Sequence, residues 1–242
     1  MPSSCCWHRQ NLGGVDHYRL DIPGLLAAFI CSPPARPEAL PRIARAFGLT
    51  GIVTLRQVHS ARVVPAVQVT PSGDDEGDAL FTDQPGLGLA VRVADCLPVF
   101  VRDRHNRVAG IAHAGWRGTV ARVAAKLALT VSREFGTAVS ELEYALGPCI
   151  CPRCYEVGPE VTEQFQDHDE ESGSVLEPLR DSARSLLDIR KANRIQLDRL
   201  GLSELPGLEI CTRETPADCC SFRRDGRTDH NLALIALAPA LP

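Results

Sequence analysis

The stretch ADCLPVFVRDRHNRVAGIAHAG, residues 94–115, has the pattern of a β-hairpin, because two apolar runs flank the polar segment RDRHNR. A tight turn centred on residues 104–105 sets Cys96 directly opposite His113. Side chains that face each other across an antiparallel pair have Cβ atoms about 4.5–5.5 Å apart, which lets a thiolate and an imidazole share one metal ion. A slip of one residue in this register separates the two groups onto opposite faces. The hairpin therefore predicts both a pair of neighbouring strands and a candidate metal-binding pair.

Other apolar runs extend this prediction along the chain. Runs rich in Val, Ile and Leu are typical of strands, and they cover residues 51–55, 87–93, 97–101, 107–112, 142–146, 208–212 and 232–237. Apolar residues at helical spacing, each time followed by a terminal glycine, predict helices over residues 37–48, 119–136 and 188–201. Thr119 is expected to cap the second helix. Strands outnumber helices and often follow one another directly, which favours a single α+β domain over residues 1–242, with mixed β-sheets layered with helices.

Composition and charge restrict the classes of partner. Of the 242 residues, 44% are hydrophobic and 23% are charged, as in ordinary globular proteins. A net charge of −4 gives no general electrostatic reason to bind nucleic acid or an anionic membrane, and no apolar run approaches the length of a membrane span. We expect a monomer that acts on a small molecule, with neither nucleic acid nor membrane as partner. Residues 1–14 lack the features of a secretory signal, which favours a cytoplasmic location.

Ten cysteines raise the question of disulfides or metal binding. In a long chain without an export signal, free thiols are the expected state. The segment CICPRC, residues 149–154, resembles half of a zinc site. Because no second CxxC or HxxxH stands near it in the sequence, we do not expect a structural zinc there.

A third metal ligand for the hairpin pair is offered by IVTLRQVHS, residues 52–60. Strand alternation places Gln57 and His59 on one face, with His59 at the end of the apolar run. Together, His59, Cys96 and His113 would give zinc three protein ligands and leave a fourth position for water or substrate. That pattern is typical of catalytic zinc sites rather than structural ones.

Five segments together resemble a known family in order and spacing: RQVHS (56–60), GDALFTDQPGLGLAVRVADCLPV (77–99), AHAGWRGT (112–119), LGPCICPRCYEVG (146–158) and CSFRRDG (220–226). The family is the polyphenol oxidase or laccase-domain (YfiH-like) family, whose members are also described as purine nucleoside phosphorylases. The resemblance implies the YfiH-like sandwich fold and a zinc or copper ion held by His59, Cys96 and His113. Residues 1–50 match only weakly, and the pair at residues 219–220 stands where the family carries aromatic residues.

Further residues are candidates for the site. Asp95 has two interpretations, a buried hydrogen-bond partner or a catalytic group beside Cys96. Cys149 either directs its thiol at the site or is a small core residue. Arg117 and Arg223 are candidates for phosphate binding, because a guanidinium binds phosphate through two parallel hydrogen bonds. Gln57 is expected to contact the substrate.

These observations lead to a first hypothesis for function. The resemblance implies a zinc-dependent purine nucleoside phosphorylase that acts on adenosine, inosine or S-methyl-5′-thioadenosine, with adenosine deamination as a further activity. Cys96, Asp95 and Arg117 are the expected catalytic residues. Phosphate and the nucleoside would be bound by Gln57, Arg117, Cys149 and Arg223.

Three alternatives use the same residues differently. A copper-dependent polyphenol oxidase is one, although multicopper centres need many imidazoles and the chain has seven histidines and no His-x-His pair. A hydrolase or amidase acting on a peptidoglycan precursor is another, with Cys96 as nucleophile and His113 or His59 as base. A binding protein that holds the metal only for stability is the third. Metal content and turnover separate these alternatives.

Overall fold

The computed structural model describes residues 6–32, 34–70, 74–168, 172–226 and 229–238. In this part of the chain the strands are β1 (Trp7–Leu12), β2 (Val15–Ile22), β3 (Leu25–Ser32), β4 (Gly51–Val53), β5 (Val63–Pro65), β6 (Ala79–Thr82), β7 (Leu87–Val93), β8 (Leu97–Asp103), β9 (Ala109–Ala114), β10 (Leu142–Leu146), β11 (Glu156–Val157), β12 (Leu176–Pro178), β13 (Ser185–Leu187), β14 (Ser203–Glu204) and β15 (Asn231–Leu237). The helices are α1 (Leu40–Ala46), α2 (Trp116–Val120), α3 (Val123–Phe135), α4 (Pro159–His168), α5 (Ser172–Val175), α6 (Ile189–Leu200) and α7 (Phe222–Asp225). None of the described helices is both long and apolar enough to span a membrane.

Two six-stranded sheets organise these elements. Sheet I has the order β1-β2-β3-β15-β7-β4, and sheet II has the order β14-β10-β8-β9-β6-β5. Most neighbours are antiparallel, whereas the pairs β4 with β7, β5 with β6 and β10 with β14 are parallel. A small third sheet has the order β11-β13-β12. The prediction of an α+β fold with mixed sheets is confirmed.

Side-chain alternation along the strands produces four layers. Phe29 of sheet I and Phe100 of sheet II belong to one apolar cluster, so these two sheets pack face to face. The opposite face of sheet II packs against α3 and α6, which contribute Leu127 and Leu197. The opposite face of sheet I is covered by α1 through Ile43. Each fully buried side chain of this size stabilises the fold by about 1.5–3 kcal/mol.

The central hairpin forms, but its predicted register is wrong by two residues. Pro98, not Cys96, pairs with His113, and Cys96 lies just before β8. The cause is a longer loop: residues 104–108 connect the strands, and the Asp103 carboxylate accepts the backbone N–H of Val108. Because the shift is an even number of residues, Cys96 and His113 stay on the same side of the hairpin.

The predicted helix over residues 119–136 is divided into α2 and α3. Arg122, between them, has a left-handed backbone with φ of 61°. Thr119 does not cap a helix, since it is buried inside α2, where its hydroxyl accepts a hydrogen bond from Asn193 of α6 at 2.9 Å. The predicted end at Gly136 is confirmed, with φ of 62°.

Two further predictions are corrected at the edges of the sheets. The predicted strand over residues 208–212 is wrong: apart from one isolated bridge at Cys211, the segment is irregular. It still follows β10, because Leu205 and Leu208 donate backbone hydrogen bonds to that strand, while Pro206 has no N–H with which to continue a ladder. The described part of the weakly matching first fifty residues forms β1, β2, β3 and α1, and its three strands make up half of sheet I.

Candidate metal centre

Three predicted ligands meet at one end of the β8–β9 hairpin. His113 lies in β9, Cys96 immediately precedes β8, and His59 lies in the segment that follows β4. One ligand atom from each of the three side chains lies within 4.8 Å of the others. The two imidazole rings meet edge to face, with centroids 4.9 Å apart. We call His59, Cys96 and His113 the metal centre below.

The backbone around His59 differs from the predicted strand. β4 ends at Val53, and His59 itself has a left-handed backbone with φ of 58°. The Asp78 carboxylate holds this conformation, since it accepts the backbone N–H of His59 at 3.1 Å and that of Ser60 at 2.6 Å. His59 is therefore placed by a carboxylate that lies nineteen residues further along the chain.

Asp78 also orients His113. It is fully buried directly before β6, and its Oδ1 lies 2.9 Å from Nδ1 of His113. A carboxylate only accepts, so Nδ1 carries a proton, and Nε2 of His113 would bind a metal ion after giving up any proton of its own. Carboxylate–histidine pairs of this kind are the usual support of a metal-ligating imidazole.

Charge interactions among these groups shift their titration. Burial alone would raise the pKa of the Cys96 thiol, but the neighbouring His113 and His59 outweigh it and lower this pKa to about 6. Burial alone would lower the pKa of His113, yet the Cys96 thiolate and Asp78 raise it to about 9. Burial opposes ionisation of Asp78 as well, but hydrogen bonds from His113 and Ser60 lower its pKa to about 2. Cys96 is thus a thiolate at neutral pH, the form in which cysteine binds metal.

Close packing at Gly115 allows the ligands to approach one another. A Cβ at this position would lie 2.9 Å from Sγ of Cys96 and 3.1 Å from Cδ2 of His59. Any larger residue would push one of these ligands away. The glycine that follows the hairpin is therefore required by the geometry of the metal centre.

The metal centre opens into a cavity of about 590 Å³. Its wall combines ligands, arginines and aromatic rings, and it is lined by Gln57, His59, Arg92, Ala94, Asp95, Cys96, His113, Trp116, Arg117, Tyr155, Phe222, Arg223 and His230. This volume falls in the range of small-molecule sites.

Three arginines give the cavity a positive wall. Arg117 stacks on the Trp116 ring, with its guanidinium carbon 4.1 Å from the ring centroid. Arg223 donates to the Glu156 carbonyl at 2.7 Å. Neither Arg92 nor Arg117 forms an ion pair with any residue that the structure describes, so their charges are available to an anionic ligand.

Asp95 and Gln57 line the cavity but also have protein partners. The Asp95 carboxylate accepts the Thr212 hydroxyl at 2.6 Å and the backbone N–H of Arg223 at 2.7 Å. Gln57 donates to the Arg92 carbonyl at 2.9 Å and accepts the Arg92 N–H at 2.8 Å. Both side chains therefore fix the positions of the two arginines.

Cys149 is not brought to the cavity. It is buried in the apolar cluster between sheet II and its covering helices, and burial raises its pKa to about 11. Of its two sequence interpretations, the described geometry matches the small core residue.

Two residues that sequence reasoning missed are central to this geometry. Asp78 carries a signal, because it is an acidic residue directly before the apolar run ALFT. Arg92 carries another, because it is the single charge in the apolar run LGLAVRV. Tyr155 and Phe222 carry no comparable signal, since their approach to the cavity depends on the path of long loops.

The chain is similar to known proteins in both sequence and fold. Residues 37–238 match the family described as multi-copper polyphenol oxidoreductase laccase. The purine nucleoside phosphorylase of Deinococcus radiodurans is 38% identical over 208 residues, which cover 85% of this chain and 78% of that protein. Adenosine deaminase RL5, from an unknown prokaryotic organism, is 32% identical over 188 residues, or 74% of this chain and 71% of that protein. A crystal structure of a Neisseria meningitidis protein has a TM-score of 0.82 at 26% identity and covers 96% of this chain and 99% of its own.

Proposed function

Because the chain belongs to the multi-copper polyphenol oxidoreductase laccase family, in which a close relative is named a purine nucleoside phosphorylase, we propose that it is a zinc-dependent purine nucleoside phosphorylase. Adenosine, inosine and S-methyl-5′-thioadenosine are the proposed substrates of a monomeric cytoplasmic enzyme. One observation carries the proposal: the metal centre opens into a cavity whose wall also holds three arginines and three aromatic rings.

The donor set of the metal centre fits zinc. Two imidazoles and one thiolate are zinc donors, and three protein ligands are typical of a catalytic site. The Asp78–His113 hydrogen bond and the close approach at Gly115 support such a site. When bound, zinc supplies Lewis-acid chemistry beside the cavity. Copper accepts the same donors, but a multicopper oxidase needs more imidazoles than the two that this group offers.

In phosphorolysis, a phosphate oxygen attacks C1′ of the ribose as the N-glycosidic bond breaks. The purine leaves with the electron pair of that bond and takes up a proton, and ribose 1-phosphate remains. Arg117 and Arg92 are proposed to bind the phosphate, because their guanidinium groups have no anionic partner among the described residues. They would hold the anion near the sugar as it becomes cation-like, which is where positioning has the largest effect.

Aromatic rings are proposed to hold the nucleoside. Trp116, Tyr155 and Phe222 line the cavity, and Phe222 is 60% exposed. An exposed ring of this size at a cavity mouth is available to pack on a flat purine base. Asp95 is proposed as a positioning residue, because both of its oxygens already accept hydrogen bonds from Thr212 and Arg223.

Product analysis with and without phosphate tests this proposal. Zinc-loaded protein given inosine and inorganic phosphate should release hypoxanthine and ribose 1-phosphate, and omitting phosphate should stop the release. If free ribose formed at an unchanged rate without phosphate, the reaction would be hydrolysis and not phosphorolysis. Full activity in metal-free protein, abolished when Cys96 is alkylated, would instead support a thiolate nucleophile.

Adenosine deamination is a second proposed activity, favoured by the similarity to a relative that is named an adenosine deaminase. Water would replace the exocyclic amine of adenosine, and inosine and ammonia would leave. The same cavity serves this reaction without a phosphate. Release of ammonia from adenosine in phosphate-free buffer would support the deaminase activity. No release of ammonia under these conditions would refute it.

A further inference from the structure

A second group of metal-ligating side chains lies apart from the cavity wall. Cys151, Cys154, Cys211 and Glu214 each place one ligand atom within 4.8 Å of the other three. Sγ of Cys154 lies 3.5 Å from the Glu214 carboxylate, and Sγ of Cys151 lies 3.8 Å from it. We call these four residues the three-thiol cluster.

The fold assembles this cluster from two distant segments. Cys151 and Cys154 have the spacing C-x-x-C, and Cys211 and Glu214 have the spacing C-x-x-E. A parallel bridge between Cys149 and Cys211 brings the two segments side by side. The expectation of no structural zinc rested on the absence of a second CxxC or HxxxH near residues 149–154 in the sequence. The fold instead brings a C-x-x-E pair beside them from sixty residues away.

Groups around the three-thiol cluster stabilise the negative charge that its side chains carry when they bind a thiophilic ion. The backbone N–H of Cys151 points at Sγ of Cys211 at 3.3 Å. A sulfur that accepts an N–H is better stabilised as thiolate than as thiol. The Arg153 guanidinium lies 3.1 Å from the Glu214 carboxylate, so it would offset part of the negative charge of three thiolates and one carboxylate.

We propose that the three-thiol cluster binds a structural zinc ion, independent of the metal centre. Four side-chain ligands complete the tetrahedral shell that zinc prefers in structural sites, and three sulfur ligands exclude magnesium and calcium. On binding, the thiols release their protons to solvent as the zinc–sulfur bonds form. The described thiols are free rather than joined in disulfides, as this requires.

The ion would join two chain segments that position residues of the cavity wall. Tyr155, which lines the cavity, follows Cys154 directly. Thr212, which follows Cys211, donates its hydroxyl to Asp95 at 2.6 Å. A zinc ion held between the segments therefore keeps Tyr155 and Asp95 in register without contacting the substrate itself.

Cobalt substitution tests the proposal in a Cys96→Ala background, where the metal centre has no thiol left. One equivalent of Co²⁺ should then still produce thiolate-to-cobalt charge-transfer absorption. Adding Cys154→Ala and Cys211→Ala should abolish it, whereas adding Cys31→Ala, a half-buried thiol of β3, should preserve it. No such absorption in the Cys96→Ala protein would overturn the proposal.

Glu214→Ala provides a variant that does not disturb the core, because Glu214 lies at the surface. It should lower zinc affinity at the three-thiol cluster at least tenfold, since even the loss of a group that only supports a ligand costs about 10–100-fold. Arg153→Ala removes the ion pair but no ligand, so it is the matched control and should retain the ion. Zinc analysis of protein purified in reductant without added metal should find two ions per chain. A disulfide between cluster cysteines in such protein, or affinity unchanged in Glu214→Ala, would refute the site.

Discussion

The metal centre and the three-thiol cluster use similar residue types in opposite ways. The metal centre has three ligands, opens into a cavity of about 590 Å³, and is backed by the fully buried Asp78. The three-thiol cluster has four ligands that face one another, and its Glu214 is exposed. Three protein ligands beside a cavity are typical of a catalytic metal site, whereas four protein ligands are typical of a structural one. Whether cysteines of one chain react or only hold the fold thus depends on ligand number and on what lies beside them.

Cys96→Ala should have the largest effect on this comparison, because it affects the metal centre and not the three-thiol cluster. One zinc ion per chain should be lost from the metal centre, while the three-thiol cluster keeps its own. Turnover should fall by about a thousandfold, because a Lewis acid contributes several kcal/mol to the transition state. Parallel zinc analysis and phosphorolysis rates measure both effects, with Cys31→Ala as the control. Unchanged zinc content in Cys96→Ala would remove Cys96 from the ligand set.

Alkylation of protein from which a chelator has removed the metal extends the comparison to individual cysteines. The pKa of Cys96 is lowered to about 6, so its thiolate persists at neutral pH and is lost only as the pH falls below that value. Burial raises the pKa of Cys31, which is also a half-buried thiol, to about 12. After allowing for the lower intrinsic nucleophilicity of the more acidic thiol, iodoacetamide should modify Cys96 roughly a few hundredfold faster at pH 7.

Peptide mass spectrometry across a pH series measures these rates. The Cys96 rate should rise through about pH 6 and then level off. A midpoint near that of an ordinary thiol would mean that His113 and His59 do not stabilise the thiolate.

Asp78→Asn tests the carboxylate that supports the metal centre. An amide cannot replace the charge opposite His113, so zinc affinity at this centre should fall about 10–100-fold. The three-thiol cluster should be unaffected. Competition with a chelator measures the affinities, and Asp83→Asn, at an exposed position beyond the same strand, is the matched control. Equal losses in both variants would show that the effect is not specific to the His113 hydrogen bond.

Arg117→Ala should weaken phosphate binding and leave both metal sites loaded. Losing a charged hydrogen bond costs about 1.5–3 kcal/mol, so the apparent KM for phosphate should rise roughly ten- to a hundredfold. Arg133→Ala serves as the control, because Arg133 is an exposed arginine of α3 that pairs with Glu134. Phosphate dependence that is unaltered in Arg117→Ala would transfer the role to Arg92 or Arg223.

The sequence reveals those parts of the site that lie at strand ends. His59, Cys96 and His113 each follow or precede an apolar run, so their convergence was predictable even though the hairpin register was not. The register shifted by two residues, an even number, and the ligands therefore kept their common side. Arg92 and Asp78 left weaker signals as charges within or beside apolar runs.

Other features depend on contacts that no local pattern encodes. Cys211 and Glu214 reach Cys151 only because an irregular segment follows the edge of sheet II past Pro206. The local pattern predicts that Thr119 caps a helix. Its hydroxyl instead bonds to Asn193, which lies in a helix more than seventy residues away and leaves no signal near Thr119. Such long-range packing overrides local preferences, so these contacts cannot be predicted from the sequence alone.

The loop that altered the hairpin register also has a practical use. It lies at the far end of β8, seven residues or about 23 Å of extended chain from the ligands. Arg104 and His105 are exposed there, and the Asp103 carboxylate anchors the base of the loop independently of them. A peptide tag or a surface linker inserted between these two residues would immobilise the protein on a support with its cavity facing away.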